Sequence, residues 1–156
     1  MMHVFPRTFS LPNERGARAA SAFTGPLTPA AYLSLCREAS GQSIQIVAGL
    51  LARKADQVAD ALVLVHALET PGNTARRPET LDALSAVFPF DPDVYRQLAT
   101  EPADRHPRIC RGCGCSEWDA RDTMGEGLAW ATDTACTRCL PATVADSQAA
   151  AIGGCQ

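Results

Sequence analysis

Between residues 28 and 100 the apolar positions recur every three to four residues, the spacing of one buried helical face. Thr28 followed by Pro29 reads as an N-cap with proline at the first helical position. The helix it opens carries Tyr32, Leu35 and Ala39, and Gly41 ends it. Ser43 caps a second helix with Ile44, Val47, Ala48 and Leu51 facing inward. After a break over 52–54, a third holds Val58, Ala61, Leu62, Val65 and Leu68 until Pro71 and Gly72 stop it. Pro78 and Glu79 open a fourth with Leu81, Leu84 and Val87 inward, and Asp91 and Pro92 start a fifth through Val94, Tyr95 and Leu98. Five short helices joined by short turns predict a mainly α protein, a compact bundle around one core.

The flanks lack this period. Residues 1–27 contain Pro6, Pro12, Gly16, Gly25 and Pro26, which predicts an irregular N-terminal arm. Arg7, Arg15 and Arg18 against Glu14 make the arm mildly basic. The stretch EPADRHP at 101–107 has two prolines and reads as a hinge to a small unit at 108–141, followed by an Ala- and Gly-rich tail at 142–156. Apolar residues are 46% and charged residues 20% of the 156, which fits a globular chain better than a disordered one or a coiled coil. The net charge of −3 is spread over both parts, so a broadly basic nucleic-acid binder is excluded while a local basic patch is not. The apolar run near Ala61 to Leu68 contains His66 and is too short to span a bilayer, which predicts no membrane association. The N-terminus lacks a basic flank before an apolar core, so the expected compartment is the reducing cytoplasm.

In that compartment the seven cysteines are expected to serve a metal rather than disulfides. Cys36 stands alone and reads as a small packing residue, and Cys155 as a free thiol. The remaining five fall in CRGCGC at 110–115 and CTRC at 136–139. Two C-x2-C pairs each form a tight knuckle with both sulfurs aimed at one point, and two knuckles supply the four thiolates of a structural Zn2+ site. The expected ligands are Cys110, Cys113, Cys136 and Cys139, with Cys115 in place of Cys113 as an alternative and His106 as a further candidate. A four-cysteine iron–sulfur cluster is a second alternative, although the spacing matches no ferredoxin. Trp118 and Trp130 are expected to cover the ion, and without it this segment has too few apolar residues to fold.

The stretch REASGQSIQIVAGLLA, with small Ala48 and apolar Leu51, resembles the first two helices of Xre/Cro-type helix-turn-helix domains. PETLDALSAVFPFDPDVYRQLA is similar to their closing helix pair, so the resemblance covers 28–100 and implies a helix-turn-helix-like five-helix bundle ahead of a zinc-ribbon or zinc-knuckle unit. It also implies a recognition helix at about 54–69, with Lys54, Ala55, Asp56, Gln57 and Asp60 toward the bases. Arg53, Lys54 and Gln57 are then the nucleic-acid-binding residues of that helix, and Arg76 with Arg77 a phosphate clamp. On the same face Asp56 and Asp60 repel phosphates, and Val63, Leu64 and Val65 make the helix apolar around much of its circumference, a pattern of buried or partner-docking helices. The order CRGCGCSEWDA, Trp130, DTACTRC is similar to a cysteine motif of uncharacterised phage and prophage proteins. Where that motif has two further cysteines, this chain has Arg121 and Ala129.

Two functions follow from these readings. One is a phage- or prophage-type transcription regulator that binds double-stranded DNA and uses the zinc unit to form a homodimer or extend its footprint. The other is a zinc-stapled protein-interaction module, a phage factor that binds and modulates a host protein complex. An enzyme is not expected: no paired carboxylates, phosphate loop or nucleophile with a base is apparent, and an all-cysteine zinc keeps no open position.

Overall fold

The computed structural model describes residues 25–119 and 129–139. The arm at 1–24, the stretch 120–128 and the tail from 140 onward, with Arg121 and Cys155, lie outside the described residues. Five α-helices, α1 (Pro29–Ala39), α2 (Ile44–Leu51), α3 (Val58–Leu68), α4 (Pro78–Ser85) and α5 (Pro92–Thr100), precede a two-stranded antiparallel sheet of β1 (Trp130–Thr132) and β2 (Ala135–Cys136). The helices start where the capping chemistry places them. The Thr28 hydroxyl accepts from the Ala31 N–H, the Ser43 hydroxyl from Ile46, and the Asp91 carboxylate from Asp93 and Val94. Gly41 and Gly72 take positive φ (76° and 90°) past the ends of α1 and α3.

One apolar core runs through all five helices and continues beyond them. Tyr32, Leu33 and Cys36 of α1, Val47 of α2, Val65 and Leu68 of α3, Leu81 and Leu84 of α4, and Val94, Tyr95 and Leu98 of α5 form a single cluster that also takes in Ile109. Leu27, expected in the irregular arm, is buried in it, so the ordered packing begins before the first helix. Ala39, expected on the inner face of α1, is exposed; the buried face of that helix turns instead through Tyr32, Leu33, Cys36 and Arg37. Phe88 and Phe90, in the turn before α5, add an aromatic cluster in which Phe90 meets Tyr32 and Tyr95 edge-on.

α2 and α3 pack more extensively on each other than any other pair of helices. Between them, residues 55–57 form a 3-10 turn, so the third α-helix starts at Val58 and not at Lys54. The charged anchor of the bundle is Arg37. Its guanidinium forks onto both oxygens of Glu69 just past α3, with Nη2 at 2.8 Å from Oε2, and donates through Nη1 to the Gln42 carbonyl at 2.8 Å. Both side chains are about nine-tenths buried.

The segment 101–107 folds back on α5. It carries a 3-10 turn at Ala103–Arg105, and the Gln97 side chain donates to the Arg105 carbonyl at 2.9 Å. Beyond it, Ile109 and Ser116 pair as an antiparallel bridge, and the Glu117 N–H donates to the Arg108 carbonyl at 3.0 Å. Residues 108–117 thus form one hairpin and β1–β2 a second. Arg108 joins them: it donates to the carbonyls of Thr132 and Asp133, pairs with the Asp133 carboxylate, and lies 4.5 Å over the Trp130 ring.

Candidate metal centre

Each hairpin delivers cysteines to the same point. In the first, the Cys110 N–H donates to the Cys115 carbonyl at 2.8 Å and the Gly114 N–H to the Cys110 carbonyl at 2.9 Å, closing 110–115 into a tight loop. In the second, the β1–β2 pairing sets Cys136 opposite Trp130, and the Cys139 N–H donates to the Cys136 carbonyl at 3.1 Å. The Arg111 N–H reaches the Thr134 carbonyl at 2.8 Å, which locks the two loops face to face.

The sulfurs of Cys110, Cys113, Cys115 and Cys136 all lie within 4.8 Å of one another. Cys113 is 3.2 Å from Cys115 and 3.7 Å from Cys136, sulfur to sulfur. A tetrahedral ion with metal–sulfur bonds of about 2.3 Å sets its sulfurs roughly 3.8 Å apart, so the cluster needs only small side-chain adjustments to hold one. The six described cysteines are all unpaired thiols. The Cys136 N–H points at the Cys110 sulfur at 3.3 Å, the contact that orients a thiolate ligand. The Cys110 thiol is lowered to about 4, chiefly by the hydrogen bond from Cys113 and then by backbone N–H groups of Cys136, Gly112 and Cys113, against the opposing effect of burial. Cys115 is pushed up to about 12 by burial. Backbone N–H groups aimed at a cysteine sulfur favour its thiolate form, and a group of soft sulfur donors suits a soft or borderline cation.

Three of the four expected ligands, Cys110, Cys113 and Cys136, belong to this group, and the fourth member is Cys115. Cys139 is exposed at its edge. The reason is the glycine between Cys113 and Cys115. Gly114 has φ +77°, and this left-handed residue turns the chain so that Cys115 faces back toward Cys113. His106 is not in the group; its Nε2 hydrogen-bonds the Glu101 carbonyl at 2.8 Å. Trp118, expected to cover the ion, is 60% exposed on the turn after Ser116, and Trp130 is half-buried under Arg108. Through Cys36, the first cysteine loop rests against α1. Cys36, on its inner face, has its sulfur 4.0 Å from the Gly114 carbonyl oxygen, and a Cβ on Gly114 would fall inside the 3.0 Å limit of real contacts with that sulfur. Nothing in the sequence links Cys36 to a residue 78 positions away. On the remaining side, Cys113 and Cys115 open onto a cleft walled by Tyr32, Phe90 and Trp118.

The residues expected to contact nucleic acid lie at two turns, before α3 and before α4. Arg53, Lys54 and Gln57 are exposed at the turn before α3, and the Gln57 side-chain oxygen is occupied by the Arg53 N–H at 3.2 Å. Arg76 and Arg77 are exposed before α4, and Arg77 shares a groove with Gln57, Asp60 and Glu79. Arg53 lines a different groove, beside Leu50, Leu51 and Val87.

Fold and site define a mainly helical protein whose C-terminal hairpins gather a cysteine cluster fit to hold a metal ion. No protein-family model, no curated protein and no solved structure matches the chain. None of the described helices is long and apolar enough to cross a membrane.

Proposed function

We propose that this protein is a zinc-stapled protein-interaction module. The thiolate cluster holds Zn2+ as a structural ion, which fixes the C-terminal hairpins against α1, and the helical bundle offers its α2–α3 face to a partner protein. Cysteine-only coordination favours zinc over magnesium or calcium, which take oxygen ligands. The observation that carries the interaction reading is the character of that face. Ile46 and Leu50 on α2 and Val63 and Leu64 on α3 are 52%, 60%, 68% and 41% exposed. Large apolar side chains held in solvent on two adjacent helices mark a docking surface. Asp60 is exposed in the first turn of α3, and Asp56 is exposed in the turn before it together with Arg53 and Lys54.

The alternative, a helix-turn-helix regulator reading double-stranded DNA as a homodimer, draws support from the close α2–α3 pair and from exposed Arg53 and Lys54 before it. Asp60 and Glu79 beside Arg77 weaken it, because carboxylates in the same groove offset the cation that a phosphate requires. One experiment separates the readings. A photo-crosslinking amino acid at Val63 of the zinc-loaded chain, in a lysate of the source cell, is expected to give one stoichiometric protein adduct that Leu50→Asp abolishes. Duplex DNA titrated at low salt is expected to give no binding. DNA binding that weakens steeply with salt and is lost in Arg53→Glu/Lys54→Glu, with no protein adduct, overturns the interaction reading in favour of the regulator.

A further inference from the structure

Beside the four clustered thiols stands a fifth, that of Cys139. Cys110, Cys113 and Cys136 form a shared triad. Cys115 completes it from one side, 3.2 Å from Cys113 and within 4.8 Å of all three. Cys139 stands on the other side, across Gly112 from Cys110. A Cβ built on Gly112 would touch the Cys139 sulfur at 3.0 Å and the Cys110 sulfur at 3.7 Å, so Gly112 is the small residue over which Cys139 leans toward the triad. A tetrahedral thiolate site has only four positions. The two candidates for the last one differ in their freedom. Cys115 is tied by its carbonyl to the Cys110 N–H and follows a glycine wedged against Cys36, whereas Cys139 sits exposed at the outer end of the second loop.

We propose that the centre is a metal site with two interchangeable fourth ligands, Cys115 and Cys139, on the triad Cys110, Cys113 and Cys136, and that this exchange lets the ion pass to an outside thiol or chelator. The proposal rests on the reading that the cluster takes an ion. In the exchange, a metal–sulfur bond to Cys139 forms as the bond to Cys115 breaks. The proton leaving the Cys139 thiol goes through solvent to the released Cys115 thiolate. The ion keeps four sulfurs and its charge throughout, and no electron is transferred. The Cys139-bound form carries one ligand at the surface, where an acceptor can displace it without unfolding the hairpins.

Co2+ titration of the full chain tests this, because the sulfur-to-cobalt charge-transfer intensity counts thiolates. Wild type, Cys115→Ala and Cys139→Ala are each expected to bind one Co2+ with the intensity of four sulfurs. Cys115→Ala/Cys139→Ala is expected to lose about a quarter of that intensity and to bind roughly 100- to 1,000-fold more weakly, as befits the loss of one ligand in four. Zinc transfer from Cys139→Ala to excess chelator is expected to be several-fold slower than from wild type, with far-UV circular dichroism verifying that each variant is folded. If either single variant already shows three sulfurs, the other cysteine is a bystander and the proposal fails while the metal reading stands. If wild type takes up no Co2+, both fall.

Discussion

Replacing Gly114 with alanine tests how the cysteine hairpins are held to the bundle. Two separate costs act at this position. An alanine at φ +77° costs roughly 1–2 kcal/mol because its Cβ crowds its own carbonyl. The same Cβ also drives into the Cys36 sulfur, with the Cys36 Cα at 3.5 Å behind it, and overpacking of this kind costs about 1–3 kcal/mol. The sum, about 2–5 kcal/mol, is a large part of the 5–15 kcal/mol typical of a whole domain. Both tryptophans of the chain, Trp118 and Trp130, lie in the hairpin region, so their fluorescence reports this lobe while far-UV circular dichroism reports the five helices. In urea, zinc-loaded Gly114→Ala is expected to lose its fluorescence transition about 1–2.5 M earlier than wild type, for a slope near 2 kcal/mol/M.

The two costs separate in a double-mutant cycle. In a Cys36→Ala background the obstructing sulfur is gone, so Gly114→Ala is expected to retain only its backbone cost of roughly 1–2 kcal/mol. The coupling energy between the two sites is then about 1–3 kcal/mol, the range for residues in direct contact. A Gly114→Ala protein within about 0.5 kcal/mol of wild type, or a cycle in which the two changes simply add, refutes the docking of the first cysteine loop on α1.

Three further outcomes follow from the same packing. Glu69→Ala leaves the buried Arg37 guanidinium without its carboxylate and is expected to cost about 3–5 kcal/mol in urea melts, whereas Arg37→Met/Glu69→Leu recovers most of that loss; equal melts for the single and the double variant would count against a buried pair. Chelation of the metal-loaded protein is expected to collapse hydrogen-exchange protection at the Cys110, Arg111 and Cys136 amides while the α1–α5 helical signal persists, and retained protection would show that the hairpins fold without an ion. Burial pushes the Cys36 thiol from 9.0 up to about 12, so the folded state favours its neutral form. Its stabilising contribution is fully present below pH 9 and is lost as the pH rises toward 12, which predicts alkaline loosening of the lobe in tryptophan fluorescence that Cys36→Ala lessens without abolishing, because Cys115 is raised over the same range.

The helices were legible because their signals are local. Thr28, Ser43 and Asp91 each bond N–H groups two or three residues away, and Pro29, Pro78 and Pro92 sit at helix starts where a missing N–H costs nothing. Interactions across the chain left no such trace. Leu27 is an isolated apolar residue among glycine and prolines, with no period to mark it, yet it fills the core. Phe88 and Phe90 lie in a turn that helical periodicity does not reach, and they supply most of the aromatic contacts. The helix-turn-helix resemblance implies a third helix from about residue 54, whereas residues 55–57 form a 3-10 turn with no side-chain cap and α3 starts at Val58.

For the thiols, the pairing of C-x2-C units treats each knuckle as self-contained, and that is where the sequence stops being sufficient. The approach of Cys115 to Cys113 turns on the backbone at Gly114, and Gly114 is packed against Cys36. A residue without a side chain is required there because α1 already fills the space. The left-handed turn that results carries Cys115 to within 3.2 Å of Cys113. The helical core and the thiol cluster are therefore one mechanical unit: Cys36 belongs to the bundle's apolar cluster on one side and shapes the first cysteine loop on the other. Any change that shifts α1, including loss of the Arg37–Glu69 pair one residue further along that helix, is expected to alter metal affinity as well as stability. A Glu69→Ala protein that loses stability but binds Co2+ with wild-type affinity would show that the two parts are joined without being coupled.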